Sequence, residues 1–322
     1  MRTVPCFLLP LVASLFLVGA GCAGTPRENK AGLPGFPVQV TDDAGRQVTV
    51  PSPPERIVSL APSITEILFA LGLEAQVVGV TDVCDYPPAA KQKEKIGSFV
   101  NPSLEKIVAL KPDLVLAADI NQKVVARLER LNVPAIVLKP RDVDGVLSNI
   151  TLVGRATGRE RQAADLVREL RARIDAVVSK VAQLPVTARP KVYYEVWYEP
   201  LCTAGPGTFI DDVIRLAGGV NVAADAPQSW PQYSLEVLLR KNPDVMLHSY
   251  GHDDTVHQTA EDIARRPGWS GLNFVRHRRI YVIDADLITR PGPRLVKAVE
   301  EVAQMLHPEV FVKGKASVAP AA

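Results

Sequence analysis

The sequence predicts an α/β protein of two Rossmann-like lobes, each with a central, mostly parallel sheet. Three observations predict it. One stretch occurs once in each half: Ser103-Leu-Glu-Lys-Ile-Val-Ala-Leu-Lys-Pro-Asp-Leu-Val-Leu116 and Ser234-Leu-Glu-Val-Leu-Leu-Arg-Lys-Asn-Pro-Asp-Val-Met-Leu247. A repeat of that kind implies two lobes of similar build. Short apolar runs alternate with helical periodicity, the pattern of parallel strands with helices on both faces. Between the halves lies one long apolar stripe: Ala163, Leu166, Val167, Leu170, Ile174, Val177, Val178 and Val181. No Gly or Pro interrupts it before Pro185, so it reads as a single stiff connecting helix.

Taken in order, Val38 to Val50 alternates apolar and polar around Asp43-Ala-Gly45 and reads as a hairpin. Glu55 to Leu60 is a strand, Glu66 to Leu71 a helix ended by Gly72, and Val77 to Val80 a strand. The first repeated helix follows, then a strand from Leu114 to Ala117, a helix from Val124 to Leu131 and a strand from Ala135 to Leu138. Val146 to Thr157 is a helix that Gly158 caps. The second half reads the same way: a strand from Val192 to Trp197, a helix from Phe209 to Ala217 ended by Gly218-Gly219, and the second repeated unit. His248 to His257 reads as a polar loop, Ile280 to Ile283 as a strand, Asp284 to Pro293 as a loop and Arg294 to Leu306 as a closing helix. The units are therefore 38–157 and 190–310, joined by 158–185, with a tail at 311–322.

In the repeat, Glu105 and Glu236 hold the same place. A carboxylate in a first turn favours the helix dipole by about 0.3–1 kcal/mol. A capping box would need the acid one position later, where Lys106 and Val237 stand. The other reading is one exposed carboxylate per lobe, offered to a partner that also has two halves.

With 322 residues and 47% hydrophobic composition, two cores are within reach. A net charge of +2 gives no argument for nucleic acid. Phe7 to Val18 is apolar but too short to span a membrane, and it reads as the apolar region of an export signal. Gly19-Ala-Gly-Cys22 resembles a bacterial lipoprotein cleavage box, with Gly19 where such boxes carry Leu or Val. The expectation is a signal over 1–22, a lipid on Cys22 and a tether over 23–37. Of the remaining cysteines, Cys84 and Cys202 lie one in each half. A bridge would pin the lobes together, and two free thiols is the simpler expectation.

The motifs Arg56-Ile-Val-Ser-Leu-Ala-Pro-Ser-Ile-Thr-Glu66, Asp85-Tyr-Pro-Pro88, Leu104 to Leu114 and Arg290-Pro-Gly-Pro-Arg294 form a specific set. Through them the chain resembles the substrate-binding lipoproteins of ABC importers for cobalamin, haem and iron-siderophores. In that class two α/β lobes are joined by one rigid helix, with a ligand cleft between them. Asp85-Tyr-Pro-Pro88 looks most like the cobalamin binders. The resemblance implies a monomer held outside the cytoplasmic membrane by Cys22, with no catalytic activity, no resident cofactor and no metal. It implies an ABC permease dimer with its ATPase subunits as partner, met by Glu105 and Glu236. It also implies cobalamin or a related corrinoid in the cleft, against Tyr86, Phe99, Trp197, Tyr198, Trp230, Tyr250 and Arg290. For each aromatic the plain alternative is packing within its own lobe. Haem or a ferric siderophore is the rival ligand. His248, His252 and His257 offer axial or metal ligands, although their spacing fits no standard zinc motif. An enzyme is the rival of another class, but no nucleophile elbow, phosphate loop or His-Glu-x-x-His motif occurs.

Overall fold

The computed structural model of the protein describes residues 35–249 and 258–311. The export signal, Cys22, most of the tether and nearly all of the tail lie outside them. Strands β1 (Val38–Thr41) and β2 (Gln47–Val50) form the expected antiparallel hairpin. Asp42 closes its turn by accepting from the backbone N–H groups of Ala44 and Arg46.

The first lobe runs β3 (Ile57–Ser59), α1 (Pro62–Ala70), β4 (Val77–Val80), β5 (Glu94–Lys95), α2 (Leu104–Ala109), β6 (Leu114–Ala118), α3 (Gln122–Arg130), β7 (Ala135–Leu138) and α4 (Val143–Thr157). Helix α5 (Glu160–Val181) connects. The second lobe runs β8 (Lys191–Trp197), β9 (Cys202–Thr203), α6 (Phe209–Leu216), β10 (Val220–Asn221), α7 (Leu235–Lys241), β11 (Val245–His248), α8 (Ala260–Ala264), α9 (Asn273–Arg276), β12 (Ile280–Val282), α10 (Ala285–Ile288), α11 (Leu295–Leu306) and α12 (Pro308–Phe311). The first sheet is parallel in the order β5-β4-β3-β6-β7. The second is parallel in the order β10-β8-β11-β12, with β9 antiparallel on β8. In each lobe the first strand lies between the second parallel strand and the one that ends the repeat. The two sheets are thus built to one plan.

The repeat does the same work in both lobes. Ser103 and Ser234 cap α2 and α7, accepting from the N–H groups of Lys106 and Val237. Ile107 and Leu238 are fully buried beneath. Lys111 and Asn242 turn the chain with φ of 47° and 42°, left-handed values that end the helix before each proline. Asp113 then accepts from the N–H groups of Glu55 and Arg56 ahead of β3, and Asp244 accepts from that of Lys191 at the start of β8. The repeated aspartate registers each lobe's first strand against the strand that ends the repeat.

Helix α5 has 22 residues, a length of about 33 Å. It packs on α4 from the first lobe and on α6 and α11 from the second. One apolar cluster runs from Ile57 and Leu68 through Ile150 of α4 and Leu170 and Ile174 of α5 to Ile214 and Val299. At Gly154 a Cβ would fall 2.4 Å from that of Ala163, so glycine there lets α4 and α5 approach closely. Arg173 of α5 donates twice to Glu300 of α11, at 2.8 and 2.7 Å.

Two local expectations change, and one stretch that carried no expectation is helical. The Asp284 to Pro293 segment is not all loop: α10 forms there, with the Asp284 carboxylate accepting from the N–H of Asp286. The chain after residue 258 contains α8 and α9, and α8 opens with a Thr259–Asp262 capping box. His248 is not part of a solvated loop: it ends β11 at 1% exposure. No helix among the described residues is long and apolar enough to cross a membrane.

Candidate functional site

A cavity of about 850 Å³ opens between the lobes. The first lobe lines it with residues at or past the C-terminal ends of β3, β4, β5, β6 and β7, including Ile64, Asp82, Asp85, Phe99, Ala118 and Leu138, and with Asn149 from α4. The second lobe contributes Asp284 to Asp286 and Thr289 to Pro291, past the end of β12. Ligands of parallel sheets bind at such strand ends because the connecting loops diverge there.

The walls are mainly apolar, but the rim is acidic. Asp82, Asp85, Asp284 and Asp286 face the cavity, and Arg290 is the one cation among its described lining residues. That cation is already engaged. Its Nη1 lies 2.6 Å from Asp85 across the cleft and its Nη2 2.7 Å from Asp286. Partial burial raises the Asp85 carboxyl, but the hydrogen bond and charge of Arg290 outweigh it and hold it below the usual carboxylate range. Behind this pair, Arg294 donates to both oxygens of buried Glu66, at 3.0 and 2.6 Å. Its guanidinium also covers the Tyr86 ring at 3.9 Å. Arg290 and Arg294 belong to one lobe and Asp85 and Glu66 to the other, so the Arg290-Pro-Gly-Pro-Arg294 segment ties the lobes together. Gly292 permits it: a Cβ there would stand 3.2 Å from the Glu66 carboxylate.

The structure sorts the candidate ligand residues. Phe99 and Arg290 line the cavity. Tyr86 is 44% exposed and has the Arg294 guanidinium over its ring, and it is not among the described lining residues. Trp197 and Trp230 stand half exposed on the second lobe, outside the described lining. The Trp197 indole N–H donates to the Glu199 carbonyl. Tyr198, expected at the cleft, packs inside its own lobe, edge-on to Trp269 and 3.8 Å from the Arg266 guanidinium. Tyr250, His252 and His257 lie outside the described residues. Glu105 and Glu236 are exposed in the first turns of α2 and α7. Cys84 and Cys202 are both free thiols, Cys84 buried between the hydroxyls of Thr65 and Thr81.

Sequence reading missed Asn149, Asp82 and the Glu66–Arg294 pair. Glu66 and Arg294 sit inside quoted motifs, but nothing in the chain says that residues so far apart meet. Asn149 has no signal beyond being one polar residue on a buried helix face.

His248 carries a pH consequence. Burial, with the nearby Arg266 charge, lowers its pKa to about 4. The unfolded chain then binds a proton more readily than the fold between that value and the ordinary one near 6.5, so stability rises with pH across the window. It is complete above about pH 6.5 and lost progressively toward pH 4, by on the order of 3 kcal/mol. Urea midpoints of the parent and His248→Gln between pH 4.5 and 7 measure this. The difference between the two proteins should shrink on acidification, and a constant difference refutes the assignment.

Comparison with known proteins now adds to the geometry. Residues 57–287 match the family model described as periplasmic binding protein. An uncharacterized ABC transporter substrate-binding lipoprotein of Bacillus subtilis, YvrC, is 35% identical over 309 residues, covering 94% of this chain and 96% of its own. The crystal structure of the vitamin B12 binding protein BtuF of Vibrio cholerae superposes with a TM-score of 0.68 at 29% identity, over 80% of this chain and 98% of that one. The haem-binding protein RhuT from Roseiflexus superposes with a TM-score of 0.71, also at 29% identity, over 80% of this chain and 99% of that one.

Proposed function

The chain belongs to the periplasmic binding protein family, and from that premise we propose that its cleft captures cobalamin or a related corrinoid for an ABC permease. The role of substrate-binding component of an ABC importer, outside the cytoplasm and without catalysis, follows from the family and its relatives. The choice of ligand rests on one observation, the charge of the cleft. Four carboxylates meet one arginine that is already doubly paired. Haem presents two carboxylates, and a ferric siderophore is commonly anionic; each would meet like charge in the cleft. A corrin is a broad apolar disc whose amide arms offer N–H donors to acceptors such as these. Similarity to the vitamin B12 binding protein of Vibrio cholerae supports the same choice. Phe99 is assigned to an apolar face of the ligand, Arg290 to orienting an arm, and Trp197 and Trp230 to the approach from the second lobe. Tyr86 supports Arg294. Anchoring through a lipid on Cys22, as in the lipoprotein YvrC, completes the reading.

Calorimetry with cyanocobalamin and with haem tests it. Cobalamin binds the parent, and Phe99→Ala weakens binding by about 2 kcal/mol, in the range of a buried aromatic anchor. Arg290→Ala weakens it as well, because Asp85 and Asp286 lose their counter-charge. Tight haem binding without cobalamin binding overturns the ligand assignment.

A further inference from the structure

Phe99, which lines the inter-lobe cavity, sits on the loop between β5 and α2. A ring carried on a loop adds to affinity only as far as the loop is ordered beforehand, since ordering it on binding costs free energy. Near its base the loop is held by backbone hydrogen bonds. The Ser103 N–H donates to the Ile96 carbonyl at 2.7 Å, and the Asp82 N–H to the Gly97 carbonyl at 2.9 Å. At Phe99 itself the hold comes from a distant side chain. The Asn121 amide nitrogen donates to the Phe99 carbonyl at 2.8 Å, and its oxygen accepts from the N–H of Ala118 at 3.2 Å. Asn121 is 2% exposed and is not among the described lining residues, whereas Phe99 and Ala118 both are. One buried amide therefore clamps two pieces of the cavity wall to each other. Its base is rigid: the single turn Asp119–Asn121 follows directly on β6, an interior strand buried from Leu114 to Ala117. The chemistry calls for an amide, because one partner is an acceptor and the other a donor; a carboxylate there would set oxygen against the Phe99 carbonyl.

We infer that Asn121 is a positioning residue of the cleft, whose amide holds the Phe99 ring at the wall where the ligand packs while touching no ligand itself. The inference rests on the assignment of Phe99 to an apolar face of a corrinoid, and adds what keeps that part of the wall in place. An anchor fixed before capture spends little of its packing free energy on ordering the loop.

A double-variant cycle tests it. Calorimetric affinity for cyanocobalamin and the thermal midpoint of the free full chain are measured for the parent, Asn121→Ala, Phe99→Ala and the two combined. Asn121→Ala should bind about tenfold more weakly than the parent, the effect of one lost hydrogen bond. In the Phe99→Ala background the same change should alter affinity by less than about twofold, because no ring is left to position. The midpoint should fall by about 3 °C in both backgrounds, since the Ala118 N–H and the residue 99 carbonyl are left unpaired alike. An affinity effect that needs the ring, beside a stability effect that does not, is the signature. A merely structural asparagine would weaken binding equally with and without the ring, and that result overturns the inference. Asn121→Ser, whose hydroxyl is too short to reach both partners, takes the place of alanine should the latter fail to fold, and is held to the same outcomes. Unchanged affinity in the parent background overturns the inference while the corrinoid reading stands, as does a Phe99→Ala protein that binds like the parent. A parent that binds no cyanocobalamin overturns that reading and this inference with it.

Discussion

Glu195→Ala is expected to destabilise the protein by about 3–5 kcal/mol, the cost of breaking a buried ion pair from one side. Glu195 is 1% exposed in β8, and Arg266 reaches it from beyond α8. The two form a bidentate pair, with both contacts at 2.8 Å. Two aromatic rings hold the guanidinium, Tyr198 at 3.8 Å and Trp269 at 4.4 Å. The Tyr193 hydroxyl donates to the same carboxylate at 3.4 Å. Burial pushes the Glu195 carboxyl up, against the pull of Arg266. Removing the carboxylate takes from the buried guanidinium both of its short contacts with Glu195. Glu195→Gln keeps one acceptor and should lose less. The double variant Glu195→Leu with Arg266→Met removes both charges and should recover most of the loss. Urea unfolding of the four proteins tests the series; a Glu195→Ala protein within about 1 kcal/mol of the parent would contradict it.

Uptake should be abolished when Glu105 and Glu236 are both changed to Lys, with ligand affinity in solution left as it was. The two carboxylates are exposed, equivalent in the two lobes, and away from the described cavity lining. Their serine caps remain in the variant, so each helix loses only its dipole interaction, about 0.3–1 kcal/mol. On the docking reading, in which these two acids meet the permease, reversed charge at both positions repels it. Transport into cells or proteoliposomes, read beside calorimetric affinity, separates docking from binding. Normal transport by the double variant would end the docking assignment.

Much of the architecture was legible because it is written in periodic patterns. The stripe from Ala163 to Val181 gave α5, and the repeated Ser, Glu, Pro and Asp gave two lobes on one plan. The elements that escaped are short. β5, β9 and β10 have two residues each, too few for alternation to register. α8 and α10, of five and four residues, rest on local caps rather than on an apolar stripe. The site was legible as a place but not as a set of contacts. Phe99 and Arg290 reach the cavity. Tyr198 does not: it packs on Trp269 and Arg266 within its own lobe. The tie between Asp85 and Arg290 joins residues 205 positions apart, and no pattern along a chain encodes such a meeting.

Two lobes built around one core resist being spread apart. Leu170 and Ile174 of α5 belong to the same apolar cluster as residues of both lobes, so spreading the lobes would strip that cluster. The arginine lacing of the Arg290 to Arg294 segment adds to that resistance, since Arg290 meets Asp85 and Arg294 meets Glu66 across the lobes. Any step that opens the cleft wide must therefore supply work against both the core and these ties.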